Sequence, residues 1–173
     1  TETLRIAVDE DALTDLRERL SRTRWPVAVT DDWSWGTPPD PVRRLVSHWQ
    51  NDYDWRATER RLNAIEQVRV DVSGTGIHFF RAGQRGATPL VLVHGWPDSP
   101  LRFEKVLPLL ADRFELFVPS IPGYAFSDRP AEPGFGATRV AALFAEALTT
   151  LGVKRFGVHG GDHGSGIAEA MAA

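Results

Sequence analysis

Residues 156–166 constrain the fold of this chain more than any other stretch, because an apolar strand there runs into an acid flanked by glycines. Asp162 has Gly160 two positions before it and Gly164 two positions after it. A strand that turns sharply into a helix forces its bend residue towards sparsely allowed dihedrals, and glycines on both sides remove Cβ atoms that would clash. The pattern predicts a strand, a tight elbow with Asp162 at its apex, and a helix that begins near Ser165.

An aspartate at the apex of such an elbow indicates a particular chemistry. Its carboxyl group, with a reference pKa of about 3.9, is ionised at neutral pH and needs no general base before it attacks. The helix that follows points its free amides and the positive end of its dipole at the same place, which favours an anion. We predict that Asp162 is a nucleophile that attacks an alkyl carbon and forms an ester, whose hydrolysis then needs a base-activated water.

Three other interpretations of this stretch compete. A phosphate-binding loop fits poorly, because the glycine spacing fails and Ile167 stands where a lysine is needed. A metal site made of His159, Asp162 and His163 would crowd three ligands into five residues of a turn. The third interpretation is a glycine-rich turn, including Gly161, in which the acid is incidental.

A second motif, at residues 94–97, follows the apolar run 90–93, which is typical of a strand covered on both faces in a parallel sheet. Loops at the carboxyl ends of such strands bind ligands in open α/β sheets. Gly95 lets the backbone approach closely and Pro97 stiffens the turn. The alternative is a buried structural turn in which His94 bonds to the backbone.

The two motifs together predict an oxyanion hole. The amide of Trp96 is expected to point at the oxygen of the Asp162 ester, together with the amide of His163 directly after the nucleophile. Each such donor contributes about 2.7–4 kcal/mol to transition-state stabilisation.

The remaining pattern predicts an α/β fold in residues 67–173. Alternating residues predict a β-hairpin, and apolar runs separated by helical patterns predict further strands of a mostly parallel sheet with flanking helices. The predicted strands are 68–72, 77–80, 90–93, 114–118 and the strand that leads to Asp162. We also expect one helix from Ser99 to about Leu110, and another over residues 138–151.

Residues 1–66 have a helical pattern with no strands. Three helices are predicted, over residues 9–20, from an Asp40–Pro41 cap onwards, and over residues 54–66. Four tryptophans occur here, and we expect them to be buried against the second part of the chain, because tryptophan carries a large apolar surface. They are Trp33, Trp35, Trp49 and Trp55.

Composition argues against several classes of protein. The 173 residues carry a net charge of −3, so there is no basic footprint for nucleic acid. No cysteine is present, which leaves no disulfide or thiolate metal site. No apolar run approaches about 18 residues and the first residues are acidic, so neither a membrane span nor a signal peptide is expected. The expected location is the cytoplasm.

The whole chain resembles the epoxide hydrolase family of α/β-hydrolases, in the microsomal-type branch that carries an N-terminal extension. The motifs that carry the resemblance lie at residues 24–26, 33–36, 53–56, 62–63, 76–79, 94–97, 121–124 and 160–164. The resemblance implies an α/β-hydrolase core in residues 67–173, wrapped by a helical extension in residues 1–66 without a membrane anchor.

The resemblance also implies a reaction. Asp162 would open an epoxide to a vicinal diol while the amides of Trp96 and His163 hold the oxyanion, with water as co-substrate and without cofactor or metal. A homodimer is left open. Epoxide hydrolases usually have tryptophan where this chain has His163, which lacks an indole N–H for a halide, so a dehalogenase that uses the same Asp162 ester is the weaker alternative. A hydrolase fold that only binds ligands is another.

Some parts of the family's site have no counterpart here. The family's cap tyrosines, acidic partner and histidine base follow the helix after the elbow, where the chain stops. The histidines that are present, His48, His78, His94, His159 and His163, are not expected to supply that base. We expect the N-terminal part of a protein about twice as long, active only when complete.

Overall fold

The computed structural model describes residues 1–173, in which six strands and six α-helices form. The strands are β1 (Glu2–Thr3), β2 (Glu66–Val72), β3 (Thr75–Gly83), β4 (Thr88–Val93), β5 (Phe114–Pro119) and β6 (Gly157–Gly160). The α-helices are α1 (Glu10–Ser21), α2 (Pro39–Asn51), α3 (Trp55–Leu62), α4 (Leu107–Leu110), α5 (Ala137–Thr150) and α6 (His163–Ala172). Two short 3-10 helices cover Trp33–Trp35 and Pro100–Phe103.

The strands form one mixed sheet in the order β1-β2-β3-β5-β4-β6. The β1–β2, β2–β3 and β3–β5 pairs are antiparallel, and only β4–β5 and β4–β6 are parallel. The expected mostly parallel sheet is therefore found only in its β5-β4-β6 half. A two-residue turn explains the β2–β3 hairpin, because Ser73 and Gly74 both have positive φ, at 53° and 80°.

The chain divides into two compact units. The sheet unit comprises residues 1–5 and 63–173, and the helical unit comprises residues 6–62. Residues 1–5 belong to the sheet unit because β1 pairs with β2. The core of the sheet unit combines alternate residues of β2 with apolar residues of β3, β4 and β5, and α5 and α6 contribute Phe144 and Ile167 to it.

The helical unit contains α1, α2 and α3, and polar contacts tie α3 to the segment before α1. The Glu59 carboxylate accepts the backbone N–H of Val8 at 2.7 Å, which lowers the pKa of Glu59. Arg56 donates to the carbonyl oxygen of Val8 at 2.7 Å and to Glu10 at 3.0 Å. An apolar groove of about 500 Å³, lined by residues of all three helices and by Tyr53, remains open within this unit.

The prediction that four tryptophans are buried is wrong for three of them. Trp33, Trp35 and Trp49 are 66%, 81% and 48% exposed, and Trp55 is half-buried. The turn that carries the first two is held by a polar contact, in which the Asp32 carboxylate accepts the Ser34 amide at 2.9 Å. The wrapping of the hydrolase core by residues 1–66 stays a prediction.

Three helix predictions also need correction. Helix α2 begins at Pro39 and not after Asp40, and α3 ends at Leu62 because the chain turns into β2 at Glu66. The single helix expected after Ser99 is two short pieces. Pro108 explains the break, because proline lacks the N–H that a continuing helix needs and its ring clashes with the preceding turn.

Candidate active site

Two residues, Gly161 and Asp162, separate β6 from α6, and the backbone of Asp162 adopts φ 56° and ψ −128°. A positive φ is uncommon for a residue with a side chain and costs about 1–3 kcal/mol, so the surrounding structure must hold it. A Cβ atom on Gly160 would lie 2.0 Å from the carbonyl oxygen of Gly164, and one on Gly164 would lie 2.4 Å from the carbonyl oxygen of Val93. Both glycines are therefore sterically required.

A backbone amide holds the Asp162 carboxylate. The amide of Trp96 donates to Oδ1 at 2.8 Å. This bond is the main reason why the pKa of Asp162 lies below its ordinary value, and the amide of His163 is the second. No hydrogen bond of ordinary geometry joins the His163 amide to the carboxylate. The carboxylate is exposed and ionised at neutral pH, and its Oδ1 already contacts one of the two amides of the predicted oxyanion hole.

The loop after β4 approaches the elbow closely. A Cβ atom on Gly95 would lie 2.7 Å from both Cβ and Oδ1 of Asp162, so only glycine fits there. The fully buried His94 donates through Nδ1 to the carbonyl oxygen of Gly95 at 3.0 Å, and its Nε2 accepts the amide of Ile121 at 3.0 Å. Burial lowers the pKa of His94. A neutral imidazole therefore ties the loop that carries Trp96 to the loop after β5.

An open cleft of about 630 Å³ lies beside Asp162. The loop after β5, the start of α5 and the first turn of α6 form its wall. The apolar side chains of this wall belong to Ile121, Pro122, Tyr124, Phe135, Val140 and Ile167. His163 also lines the cleft. The arrangement places an ionised carboxylate at the edge of a largely apolar space.

For the other predicted residues, the structure gives no clear reason for the residue type. A Cβ atom on Gly161 would approach only Nη1 of Arg102, at 3.8 Å, so nothing in the structure requires glycine there. Pro97 is exposed after a cis peptide bond, and His159 is exposed on β6. No three side chains of the histidine, aspartate or glutamate type are arranged to hold a metal ion.

Most of the cleft wall comes from residues 121–140, which the sequence did not identify as part of the site. Residues 121–124 were identified only as a motif of the family resemblance, and the helix predicted over residues 138–151 was given no role in the site. The missing signal was the order of the strands, because residues 120–124 follow β5, and β5 lies beside β4 in the sheet. Adjacent parallel strands place their carboxyl ends at the same edge, so this loop had to lie beside residues 94–97.

Two family profiles match the chain. The profile described as epoxide hydrolase N terminus matches residues 1–103, and the profile described as alpha/beta hydrolase fold matches residues 88–173. No helix combines the length and the apolar composition needed to cross a membrane.

Individual relatives agree with these profiles. A protein of Stigmatella aurantiaca named as a candidate epoxide hydrolase is 41% identical over 181 residues, which cover 97% of this chain and 41% of the relative. Juvenile hormone epoxide hydrolase 2 of Ctenocephalides felis is 34% identical, with 96% of this chain and 39% of that protein covered. The chain thus spans less than half the length of these relatives.

Solved structures show the same fold. The crystal structure of juvenile hormone epoxide hydrolase from Bombyx mori superposes with a TM-score of 0.88 at 30% identity, covering 99% of this chain and 49% of that one. The Aspergillus niger epoxide hydrolase superposes with a TM-score of 0.86 at 27% identity, covering 96% of this chain and 47% of that one. The fold of the chain is therefore that of an α/β-hydrolase.

Proposed function

The chain belongs to the family defined by the epoxide hydrolase N terminus, and we propose that the complete protein hydrolyses an epoxide to a vicinal diol through an ester of Asp162. The observation that carries the proposal is the 2.8 Å hydrogen bond from the Trp96 amide to Oδ1 of an exposed, ionised carboxylate at a strained elbow. Strain of this kind persists where the surrounding structure over-determines it, as at active sites.

In the first step, Oδ2 of Asp162 attacks a carbon of the epoxide ring. A carbon–oxygen bond forms to Oδ2 while the ring carbon–oxygen bond breaks, and the released oxygen takes a proton from an acid. The Trp96 amide holds Oδ1 and leaves Oδ2 for the attack. Because the amides lower the pKa of Asp162, the carboxylate is in the reactive, ionised form at neutral pH.

In the second step, water attacks the carboxyl carbon of the ester. Negative charge then develops on Oδ1, where the Trp96 amide already donates and where the His163 amide is the second candidate donor. Each donor in such a hole accelerates reaction by about 10²–10³-fold. Collapse of this intermediate releases the diol and regenerates the carboxylate, while a general base takes the proton of the water.

The composition of the cleft supports an epoxide with an apolar substituent. Tyr124, Phe135, Val140 and Ile167 present apolar surface beside Asp162, and His163 is the single imidazole on this wall. Two relatives named as juvenile hormone epoxide hydrolases are consistent with an epoxide substrate.

A comparison of the complete protein with residues 1–173 tests whether the general base lies outside residues 1–173. The complete protein is expected to form diol over many turnovers, and residues 1–173 are expected to show none, because general-base assistance is worth about 10²–10⁴-fold. Diol and halide are both measured, with epoxides and haloalkanes as substrates. Release of halide without diol formation by the complete protein would favour a dehalogenase.

A separate control tests His163 as the general base, because it lines the cleft beside Asp162. If residues 1–173 turn over an epoxide repeatedly, the expectation of a missing base is wrong, and the His163→Gln variant then shows whether this imidazole supplies it. Complete protein that hydrolyses no epoxide would contradict the proposed function.

A further inference from the structure

A buried histidine lies beneath the cleft wall, and the proposed mechanism does not use it. His78 lies in β3 and has no exposed surface. Its Nδ1 is 2.8 Å from Oγ of Ser120, and its Nε2 is 3.0 Å from Oε1 of Gln67. Phe80 and Phe126 contact the ring edge-on, at centroid distances of 4.9 and 5.1 Å. A polar network that joins β2, β3 and the end of β5 is thus enclosed by aromatic side chains.

The hydrogen bonds define one protonation state of this network. The amide nitrogen of Gln67 donates to Oδ1 of Asn63 at 3.3 Å, so Oε1 of Gln67 is the group that accepts. Nε2 of His78 is then the donor, and Nδ1 accepts the hydroxyl proton of Ser120. Burial lowers the pKa of His78 to about 3, so the imidazole is neutral at physiological pH.

The main chain of His78 contacts the same loop. Its carbonyl oxygen accepts the amide of Ser120 at 2.9 Å, and its amide donates to Oγ of Ser127 at 2.9 Å. The Ser127 hydroxyl in turn donates to the carbonyl oxygen of Ser120 at 2.7 Å. His78 therefore holds the two ends of the loop over residues 120–127 through hydrogen bonds of both its backbone and its side chain.

This loop carries part of the cleft. Ile121 and Tyr124 lie on the wall beside Asp162, and the amide of Ile121 holds the imidazole of His94. The position of Ser120, directly before Ile121, therefore affects the cleft wall and the contact that supports the loop of Trp96.

We propose that His78, together with Gln67 and Ser120, is a positioning residue that fixes the cleft wall against the substituent of the epoxide. This inference rests on the proposed function for its kinetic consequence. Its distinguishing effect is on substituents large enough to reach Ile121 and Tyr124, because an effect through the loop of Trp96 would be common to large and small epoxides.

The test uses His78→Phe in the complete protein, which keeps an aromatic ring and removes both side-chain hydrogen bonds. The kcat/KM values are measured for styrene oxide, which carries a bulky phenyl group, and for propylene oxide, which carries only a methyl group. The ratio of the two values is expected to fall about tenfold, because small misplacements of binding groups have effects of this size or larger. His78→Gln, which can both donate and accept, is expected to restore part of the ratio.

A matched control separates positioning from loss of stability. Val70→Ala removes buried side-chain atoms from β2 and leaves both side-chain hydrogen bonds of His78 in place, so it is expected to lower thermal stability and leave the substrate ratio unchanged. An unchanged ratio in His78→Phe, or an equal fall in Val70→Ala, would overturn the proposal.

Amide hydrogen exchange distinguishes a failure of the proposed function from a failure of the proposed role of His78. Residues 121–127 are expected to exchange at least tenfold faster in His78→Phe than in the wild-type complete protein, while the Val70→Ala variant matches the wild type there. If the wild-type protein hydrolyses no epoxide, the proposed function fails and the exchange result alone decides whether His78 fixes the loop. Equal exchange in all three proteins would contradict the role of His78.

Discussion

The two compact units differ in how completely they bury their largest aromatic side chains. In the sheet unit, Phe79, Phe117 and Phe144 are completely buried. In the helical unit, Trp33 and Trp35 expose most of their surface. The sheet unit thus has a complete apolar core, while the helical unit presents large apolar side chains that its own residues leave uncovered.

The difference follows from the elements available to each unit. A sheet with helices packed on it can enclose one apolar layer, as the Val70 face of β2 and Phe144 of α5 show. Three short helices in 57 residues offer too little surface to enclose their apolar faces, and an open groove remains between them. The candidate catalytic carboxylate belongs to the unit with the complete core, where a strained backbone can be held.

A pair of truncations tests the contrast most strongly. Phe144→Ala is expected to reduce the free energy of unfolding by about 3–5 kcal/mol, because it leaves a cavity in the core of the sheet unit. Trp35→Ala, at an 81% exposed site, is expected to change it by less than about 0.5 kcal/mol. Urea denaturation of residues 1–173 gives both values. A large loss for Trp35→Ala would mean that the helical unit has a closed core in solution.

Acid sensitivity should also differ between the units. The pKa of His78 falls from 6.5 to about 3 on folding, so the unfolded chain binds a proton that the folded sheet unit does not. Above pH 6.5 the free energy of unfolding is therefore not reduced by protonation of His78. Below pH 6.5 this protonation reduces the free energy of unfolding by about 1.4 kcal/mol for each pH unit. Between pH 6.5 and pH 5 the loss amounts to about 2 kcal/mol.

Variants isolate this effect from other titrating groups. In His78→Phe the loss between pH 6.5 and pH 5, measured by urea denaturation, is expected to be smaller by about 2 kcal/mol than in the wild type. Val70→Ala, which removes no titratable group, is expected to retain the wild-type dependence. The same pH dependence in all three proteins would show that His78 is protonated without penalty in the folded state.

The smallest effect is expected in the groove of the helical unit. Leu45 lines this groove and is 67% exposed, so Leu45→Gln should change the free energy of unfolding by less than about 0.5 kcal/mol. The variant should nevertheless bind an apolar fluorescent dye more weakly than the wild type, because it removes exposed apolar surface. A loss of stability above 1 kcal/mol, measured by the same denaturation, would show that the groove is closed in solution.

The sequence predicted the strands well, because their signals are local. Alternation over residues 68–72 and 77–80 and the apolar run 90–93 lie within β2, β3 and β4. β1 was missed, because two residues, Glu2 and Thr3, carry no period. The burial of the tryptophans was wrong, because a large apolar side chain indicates a tendency to be buried and does not identify the partner that covers it.

The site was predictable where one turn determines its geometry. The need for glycine at position 160 follows from sterics within one turn, because its Cβ atom would meet Gly164, whereas the close approach of Gly95 to Asp162 joins two motifs that are far apart in the sequence. The network of Gln67, His78 and Ser120 was not predictable, because its members lie on separate elements and only the strand order brings them together. His78 therefore had no predicted chemistry.

The most direct test of the account is to identify the residue that carries the covalent intermediate. The complete protein is mixed with an epoxide, quenched rapidly, digested and examined by mass spectrometry. The account predicts that the mass of the epoxide is added to Asp162, and that Asp162→Ala lacks both the adduct and diol formation. An adduct on another residue, or diol formation that survives in Asp162→Ala, would contradict it.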